Sequence, residues 1–227
     1  MKLSILDTAE AAARTAAAQI AERLQDAIAE RDRATLALSG GRSPLPMLQA
    51  LARTPFNWTV IDIFQVDERV APSGSGDRNA DLLRQALLEP AAVPVDRIHL
   101  MPVEEPDLNV AAATYSDLIT RIAGQPPRID VVHLGLGADG HTASLVPGDP
   151  LLNETRALVG LTRVYQGRQR MTLTYPSLSG ARSLVWLVTG ADKTDALQRL
   201  LNHDASTPAG RVERPNALVF ADAMARP

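Results

Sequence analysis

The stretch IDVVHLGLGADGH, residues 129–141, joins a run of apolar residues to a glycine-rich loop. A short apolar run bounded by turn-forming residues is typical of a buried strand. The glycines of the loop spell G-x-G-x-x-G, the pattern of dinucleotide-binding loops, at Gly135, Gly137 and Gly140. The same loop sets Asp139 and His141 on either side of its last glycine. The loop is therefore either a cradle for a dinucleotide or a support that presents a histidine to a substrate.

The residues that follow the loop argue against a dinucleotide. Such a site needs a long helix whose first amides receive the pyrophosphate. Here Pro147, Gly148 and Pro150 interrupt the chain within ten residues of Gly140. It also needs an acidic residue at the end of the next strand, whereas the segment ALVGLT runs into Arg163. We therefore predict that the chain uses no nicotinamide and no other cofactor.

Strand-like and helix-like segments alternate on both sides of this stretch. Helices are predicted at 8–30, 43–52, 79–88, 107–122 and 192–201. Strands are predicted at 34–41, 58–66, 97–101, 129–136, 157–162, 170–175, 183–190 and 217–222. Ser43, followed by Pro44, is the expected cap of the second helix, and Asn79 is the expected cap of the third.

This alternation predicts an α/β fold of three layers, a mostly parallel sheet with helices on both faces, in a single domain spanning residues 1–227. Ligands of such folds bind outside the carboxyl ends of the strands. Three polar or glycine-rich loops follow predicted strands, at 39–43, 67–69 and 135–144. We expect the functional site where these three loops meet.

The composition excludes several classes of protein. The chain has 227 residues, a formal net charge of -3 at pH 7 and no cysteine, so disulfides, thiolate metal sites and a cysteine nucleophile are excluded. Asp139 and His141 alone are too few ligands for a metal ion.

The net charge gives no general attraction for nucleic acid or an anionic membrane. No apolar run approaches the roughly 18 residues of a membrane span, and the N-terminal segment lacks the apolar region of a signal peptide. We expect a cytoplasmic protein without metal, nucleic acid or membrane partners.

Five motifs, in this order along the chain, carry a resemblance to a known family. They are LALSGGRSPLPML (36–48), VDERVAP (66–72) with Asn79 downstream, GLGADGHTASLVPG (135–148), RQRMTLTYPSL (168–178) and VTGADKTDAL (188–197). Together they resemble the 6-phosphogluconolactonases, part of a larger family that also contains the glucosamine-6-phosphate isomerases/deaminases. The resemblance implies hydrolysis of 6-phospho-D-glucono-1,5-lactone to 6-phosphogluconate in the oxidative pentose phosphate pathway.

One position separates the two chemistries of that family. The deaminases have a glutamate that assists ring opening shortly after the histidine, and this chain has Val146 in its place. A valine cannot relay a proton, so the chain resembles the lactonase branch. One departure from the family's pattern is Arg78, where a serine is usual before the asparagine.

The chemistry of lactone hydrolysis suggests roles for the residues of the central loop. The reaction needs an activated water, a site for the developing oxyanion and a proton for the departing ring oxygen. An imidazole with an ordinary pKa of about 6.5 is largely neutral near pH 7 and can take a proton from water. We therefore expect His141 to be the general base. Asp139 either orients the imidazole or only forms the turn. The other histidines, His99, His133 and His203, are expected to be structural.

The resemblance implies roles for the remaining candidates. It places the 6-phosphate of the substrate at the loop after the second strand, with two cations from later motifs: Ser39, Gly40, Gly41, Arg42, Ser43, Arg170 and Lys193. Gly137 and Gly140 join this substrate-binding group. Arg69 is a candidate for stabilising the oxyanion or binding substrate hydroxyls, and Asp67 either binds hydroxyls or forms an ion pair within the segment DER.

The predicted function is therefore hydrolysis of a phosphosugar lactone by a monomer. An aminosugar-phosphate isomerase/deaminase is the first alternative. A non-catalytic phosphosugar sensor is the second, although the chain shows no DNA-binding helix pair and no basic extension.

Overall fold

Seven parallel strands form the main sheet of the protein. The computed structural model describes residues 1–213 and 217–227. The ten strands are β1 (Lys2–Leu6), β2 (Ala34–Leu38), β3 (Ile61–Gln65), β4 (Asp67–Arg69), β5 (Ile98–His99), β6 (Val131–Gly135), β7 (Val159–Leu161), β8 (Arg170–Leu173), β9 (Ser183–Val188) and β10 (Leu218–Asp222). The main sheet has the order β1-β10-β9-β6-β2-β3-β5, and every neighbouring pair is parallel. The predicted α/β fold is confirmed.

A smaller antiparallel sheet lies beside the main one, in the order β4-β8-β7. The predicted strands 157–162 and 170–175 therefore belong to this second sheet rather than to the main one. Because a single residue, Val66, separates the end of β3 from the start of β4, the small sheet continues directly from the main sheet. In its register Asp67 lies opposite Thr172 and Arg69 lies opposite Arg170, which brings two distant motifs together.

Helices cover both faces of the main sheet. They are α1 (Ala9–Arg31), α2 (Leu45–Ala52), α3 (Asn79–Leu83), α4 (Leu108–Ala123), α5 (Tyr175–Gly180) and α6 (Thr194–Leu201). Successive residues of a strand point to opposite faces, and β6 shows the result. Val131 packs into the core formed with α1 and α2, whereas Val132 packs into the core formed with α4 and α6. None of the helices in the described ranges is long and apolar enough to cross a membrane.

The expected cap of α2 is wrong. The helix begins at Leu45, its N-cap is Pro44, and no side chain accepts a hydrogen bond from its first amides. The Leu45 N–H instead closes a turn by donating to the Arg42 carbonyl at 3.2 Å. Ser43 lies within this turn, one residue before the N-cap Pro44, so it is not in the capping position. Since Pro46 has no N–H, the first two residues of α2 offer no free amide.

The expected cap of α3 is also wrong, because Asn79 is the first residue of the helix and Arg78 is its N-cap. The capping acceptor comes from another element. The buried Glu68 carboxylate accepts the N–H groups of Asn79 and Ala80 at 2.7 and 2.8 Å. Arg78 is itself buried and donates to Glu104 at 2.7 Å. The arginine that departs from the family's pattern thus has a structural ion pair here.

Candidate active site

The glycine-rich loop after β6 is closed by its own backbone. The Gly137 N–H donates to the His141 carbonyl at 2.8 Å, and the Gly140 N–H donates to the Gly137 carbonyl at 2.9 Å. Gly140 has a φ of +81°, a conformation that favours glycine. A Cβ at Gly140 would also lie 2.8 Å from the Cβ of Thr207, so the neighbouring segment packs directly on this glycine. The closed turn fixes the position from which His141 projects.

His141 and Asp139 form a hydrogen-bonded pair in this loop. The Nδ1 atom of His141 lies 2.6 Å from Oδ1 of Asp139, and the same oxygen accepts the backbone N–H of His141 at 3.1 Å. The side chains are 26% and 39% exposed, so the pair is anchored and still reaches solvent. A Cβ at Gly137 would lie 2.6 Å from Asp139 Oδ1 and would overlap the His141 ring. Gly137 therefore provides the space that the pair occupies.

Tyr165 is a third member of this group that the sequence analysis missed. Its hydroxyl donates to Oδ2 of Asp139 at 3.1 Å, and its ring centroid lies 5.9 Å from that of His141. Tyr165 precedes the tight turn between β7 and β8, in which Gln166 and Gly167 have φ values of +51° and +81°. Positive φ at both central residues is typical of a type I′ hairpin turn. The Gln-Gly dipeptide between two predicted strands was the available signal for this hairpin.

The electrostatics of the group determine where the imidazole carries its proton. Partial burial opposes ionisation of Asp139, but hydrogen bonds from His141 and Tyr165 and the charge of His141 hold the pKa of Asp139 below its usual value. Burial and the nearby Asp139 charge raise the pKa of Tyr165, which stays a donor. Because an ionised carboxylate only accepts, Nδ1 of neutral His141 bears the proton and Nε2 bears the lone pair. Within residues 1–213 and 217–227 Nε2 has no hydrogen-bond partner.

Asp67 is buried and held by groups from two other segments. Its Oδ2 accepts the Ser144 hydroxyl at 2.6 Å, while its backbone carbonyl accepts the Asn79 side-chain amide at 3.0 Å. Gly40 packs against that amide, since a Cβ at Gly40 would lie 2.5 Å from Oδ1 of Asn79. Asp67 thus joins three of the predicted motifs. Its carboxylate is engaged by Ser144 and Asn79 rather than by an ion pair within the segment DER.

Two arginines lie near this carboxylate. Arg69 donates to the Asp77 carbonyl at 2.8 Å, and the Arg170 guanidinium stacks 4.9 Å from the centroid of the Tyr165 ring. Burial lowers the pKa of Arg170, an effect that the charge of Asp67 opposes and that of Arg69 reinforces. Positive charge therefore lies near the His141–Asp139 pair, with Tyr165 in contact with both.

A separate cavity of about 130 Å³ lies at the start of α2. The loop after β2 and one lysine of a later motif line it, as the resemblance implies: Gly40, Gly41, Arg42, Ser43 and Lys193. The Nζ atom of Lys193 also lies 3.0 Å from the exposed Asp192 carboxylate. His133 of β6 lines the same cavity. The arginine and the lysine, together with the positive end of helix α2, suit an anion such as a phosphate group.

Two predicted phosphate-binding residues lie outside this cavity lining. The buried Ser39 hydroxyl donates to the His133 carbonyl at 3.0 Å, so it supports the cavity from behind. Arg170 lies against Tyr165 and not with Lys193. The cavity and the His141–Asp139 pair belong to one loop, because the first residues of that loop, 135 and 136, line the cavity.

Fold and site together define a parallel α/β protein with a carboxylate–histidine pair and an anion-suited cavity, both at the carboxyl edge of its sheet. The particular family follows from comparison with known proteins. The chain belongs to the family described as glucosamine-6-phosphate isomerases/6-phosphogluconolactonase, whose model matches residues 7–220.

Relatives within this family are similar over most of their length. The chain is 37% identical to a 6-phosphogluconolactonase of Synechocystis, over 88% of this chain and 86% of that protein. It is 38% identical to a 6-phosphogluconolactonase of Pseudomonas putida, over 88% of this chain and 84% of that protein. The crystal structure of the Thermotoga maritima 6-phosphogluconolactonase superposes with a TM-score of 0.86 at 26% identity, covering 97% of this chain and 98% of that one.

Proposed function

We propose that this protein hydrolyses 6-phospho-D-glucono-1,5-lactone to 6-phosphogluconate, with His141 as the general base. The observation that carries the proposal is the 2.6 Å contact between His141 Nδ1 and the Asp139 carboxylate. That contact leaves the lone pair of neutral His141 on Nε2, and the His141 side chain is 26% exposed. Activation of water requires a base that is held in position and has a free lone pair.

The reaction uses one water and needs no other reactant. Nε2 of His141 takes a proton from water as its oxygen bonds to the lactone carbonyl carbon, which gives a tetrahedral oxyanion. When the oxyanion collapses, the bond from carbon to the ring oxygen breaks, and the imidazolium returns its proton to that oxygen. Asp139 stabilises the imidazolium between these two steps, and Tyr165 holds the carboxylate in place.

The positive charge beside the pair suits the other demands of the reaction. Arg69 and Arg170 are the proposed groups for the developing oxyanion or the sugar hydroxyls. Asp67 is proposed to bind a hydroxyl through whichever lone pairs Ser144 and Asn79 leave free. The assignments of Arg69, Arg170 and Asp67 rest on their positions. All three residues lie in the small sheet, and Arg170 stacks on the Tyr165 ring.

The cavity is the proposed site of the 6-phosphate. Arg42 and Lys193 supply the positive charge there, beside the N-terminal end of α2. Ser39 acts behind the cavity by bonding to the β6 backbone, so its role is to support the loop. With the phosphate in this cavity, the lactone ring extends along the loop toward His141.

The site favours lactone hydrolysis over deamination. The position at which the deaminases of this family have a glutamate is occupied by Val146, which is buried and apolar. No proton can be relayed through this side chain. The close His141–Asp139 pair also favours an enzyme over a sensor that only binds phosphosugars.

Freshly generated 6-phosphogluconolactone is the substrate that tests the proposal. Hydrolysis above the buffer background is expected with the wild-type protein, and a parallel sample with glucosamine 6-phosphate is expected to release no ammonia. His203→Asn replaces an exposed histidine outside the site and is expected to retain full activity. Ammonia release would instead support the deaminase alternative, and no reaction in either sample would support the sensor.

A further inference from the structure

His133 is a histidine on an otherwise apolar face of the main sheet. In the parallel register of β6 it lies beside Leu38 of β2 and Val185 of β9. Both neighbours belong to the core formed with α1 and α2. A leucine or valine would therefore complete this face, whereas the chain has a polar ring that is only 1% exposed.

The His133 ring has no hydrogen-bond partner in the described ranges. Both Nδ1 and Nε2 are buried without a donor or acceptor within reach. Burial lowers the pKa of His133 to about 3, so the ring is neutral near pH 7 and carries one N–H donor and one acceptor. An unsatisfied buried polar group costs stability and is rare in folded proteins. The absence of a partner points to a ligand that supplies one.

His133 is one of the residues that line the cavity at the start of α2, together with Arg42 and Lys193. Such a cavity can hold a ligand beside the ring, whose two nitrogens are covered from solvent. Gly41, with a φ of +104°, turns the loop there without a side chain. A neutral imidazole donates to an anion without adding charge.

We propose that the neutral His133 ring donates its N–H to an oxygen of a phosphate group bound in this cavity. His133 is then a substrate-binding residue. The identity of the phosphate ester that it binds rests on the proposed function. The ring makes its single hydrogen bond only in the complex. It thus contributes to selection of phosphorylated over unphosphorylated sugars.

Nuclear magnetic resonance of the histidine rings tests the contact directly. The wild-type protein is titrated with inorganic phosphate while one-bond and long-range ¹H–¹⁵N correlations are recorded, and His133→Phe identifies the His133 signals. We expect a saturable shift of the His133 ring nitrogen and a slowly exchanging N–H at saturation. Ring signals of His133 that do not move at saturating phosphate would overturn the proposal.

Calorimetry of three variants gives the size of the effect. His133→Phe is expected to weaken phosphate binding about tenfold or more, because a hydrogen bond to a charged acceptor is lost. His133→Gln restores an N–H donor and is expected to recover part of the affinity. The control His99→Phe changes a histidine on the edge strand β5, three strands from β6, and is expected to bind phosphate as the wild type does. Equal affinity of His133→Phe and the wild type would contradict the proposal.

Lactone kinetics separate this proposal from the proposed function. His133→Phe is expected to raise KM about tenfold with little change in kcat, because the ring binds a part of the substrate that does not react. If the wild type shows no lactonase activity but phosphate moves the His133 signals, the anion contact stands and the proposed reaction fails. If the wild type is active but His133→Phe leaves KM unchanged, the reaction stands and the contact fails.

Discussion

Gly137→Ala is the substitution that tests the geometry of the site most sharply. The added Cβ would lie 2.6 Å from Asp139 Oδ1 and would overlap the His141 ring. Gly137 is not among the glycines with positive φ, so alanine suits the backbone at this position. The strain of the substitution therefore falls on the two side chains of the pair. The imidazole must move by about 1 Å or more, and its 2.6 Å bond to Asp139 must lengthen or break.

The expected loss of activity follows from that displacement. A misplacement of about 1 Å costs roughly 10² in rate, and complete loss of a general base costs roughly 10²–10⁴. We expect kcat of Gly137→Ala to fall about 10²- to 10³-fold. The pair is partly exposed, so the free energy of unfolding should change by no more than about 1 kcal/mol. KM should change little, because Gly137, Asp139 and His141 are not among the residues that line the phosphate cavity.

Steady-state lactonase kinetics of four proteins provide the assay. They are the wild type, Gly137→Ala, His141→Ala and the double variant. If Gly137→Ala acts through His141, the double variant should be no slower than His141→Ala alone. Near wild-type turnover in a folded Gly137→Ala protein would show that Gly137 does not set the position of His141, and so would fully additive losses in the double variant.

Three further substitutions test other parts of the account. Tyr165→Phe removes one hydrogen bond to the Asp139 carboxylate, so kcat should fall about three- to tenfold with the fold intact, as measured by kinetics and thermal unfolding. Glu68→Gln places an amide where a buried carboxylate accepts the N–H groups of Asn79 and Ala80, so urea unfolding should show a loss of about 3 kcal/mol. Burial lowers the pKa of His133 to about 3, whereas an unfolded histidine titrates near 6.5. The unfolded chain therefore binds a proton that the folded protein does not, and stability is lost as pH falls from about 6.5 toward 3. Urea unfolding should show that the wild type loses about 3 kcal/mol more than His133→Phe between pH 7 and pH 4, and equal losses would contradict this.

The main sheet could be predicted because its strands and helices have strong local signals. The apolar strand at Val131–Gly135 and the long helix at Ala9–Arg31 both fall where the sequence pattern predicts them. The strand at Lys2–Leu6 was missed, because its pairing with the C-terminal strand β10 is a contact between the two ends of the chain. The helix caps at Ser43 and Asn79 were wrong because tertiary contacts decide them. A turn precedes α2, and a carboxylate from another strand caps α3.

The site could be predicted only where its members are close in sequence. Asp139 and His141 share one loop, so their proximity was evident before the structure. Tyr165 reaches Asp139 through the hairpin between β7 and β8, and no pattern near either residue indicates that contact. His133 was expected to be structural, because a single histidine in an apolar strand gives no sign of the cavity beside it. Long-range packing, which the sequence pattern does not describe, brings these residues to the site.

The role of His141 as the general base is best tested by the turnover of His141→Ala with and without added imidazole. We expect kcat to fall roughly 10²- to 10⁴-fold with KM nearly unchanged. Because the substitution leaves space beside the Asp139 carboxylate, free imidazole should restore part of the rate in a saturable manner. A His141→Ala protein that hydrolyses the lactone at the wild-type rate would contradict the assignment of His141 as the base.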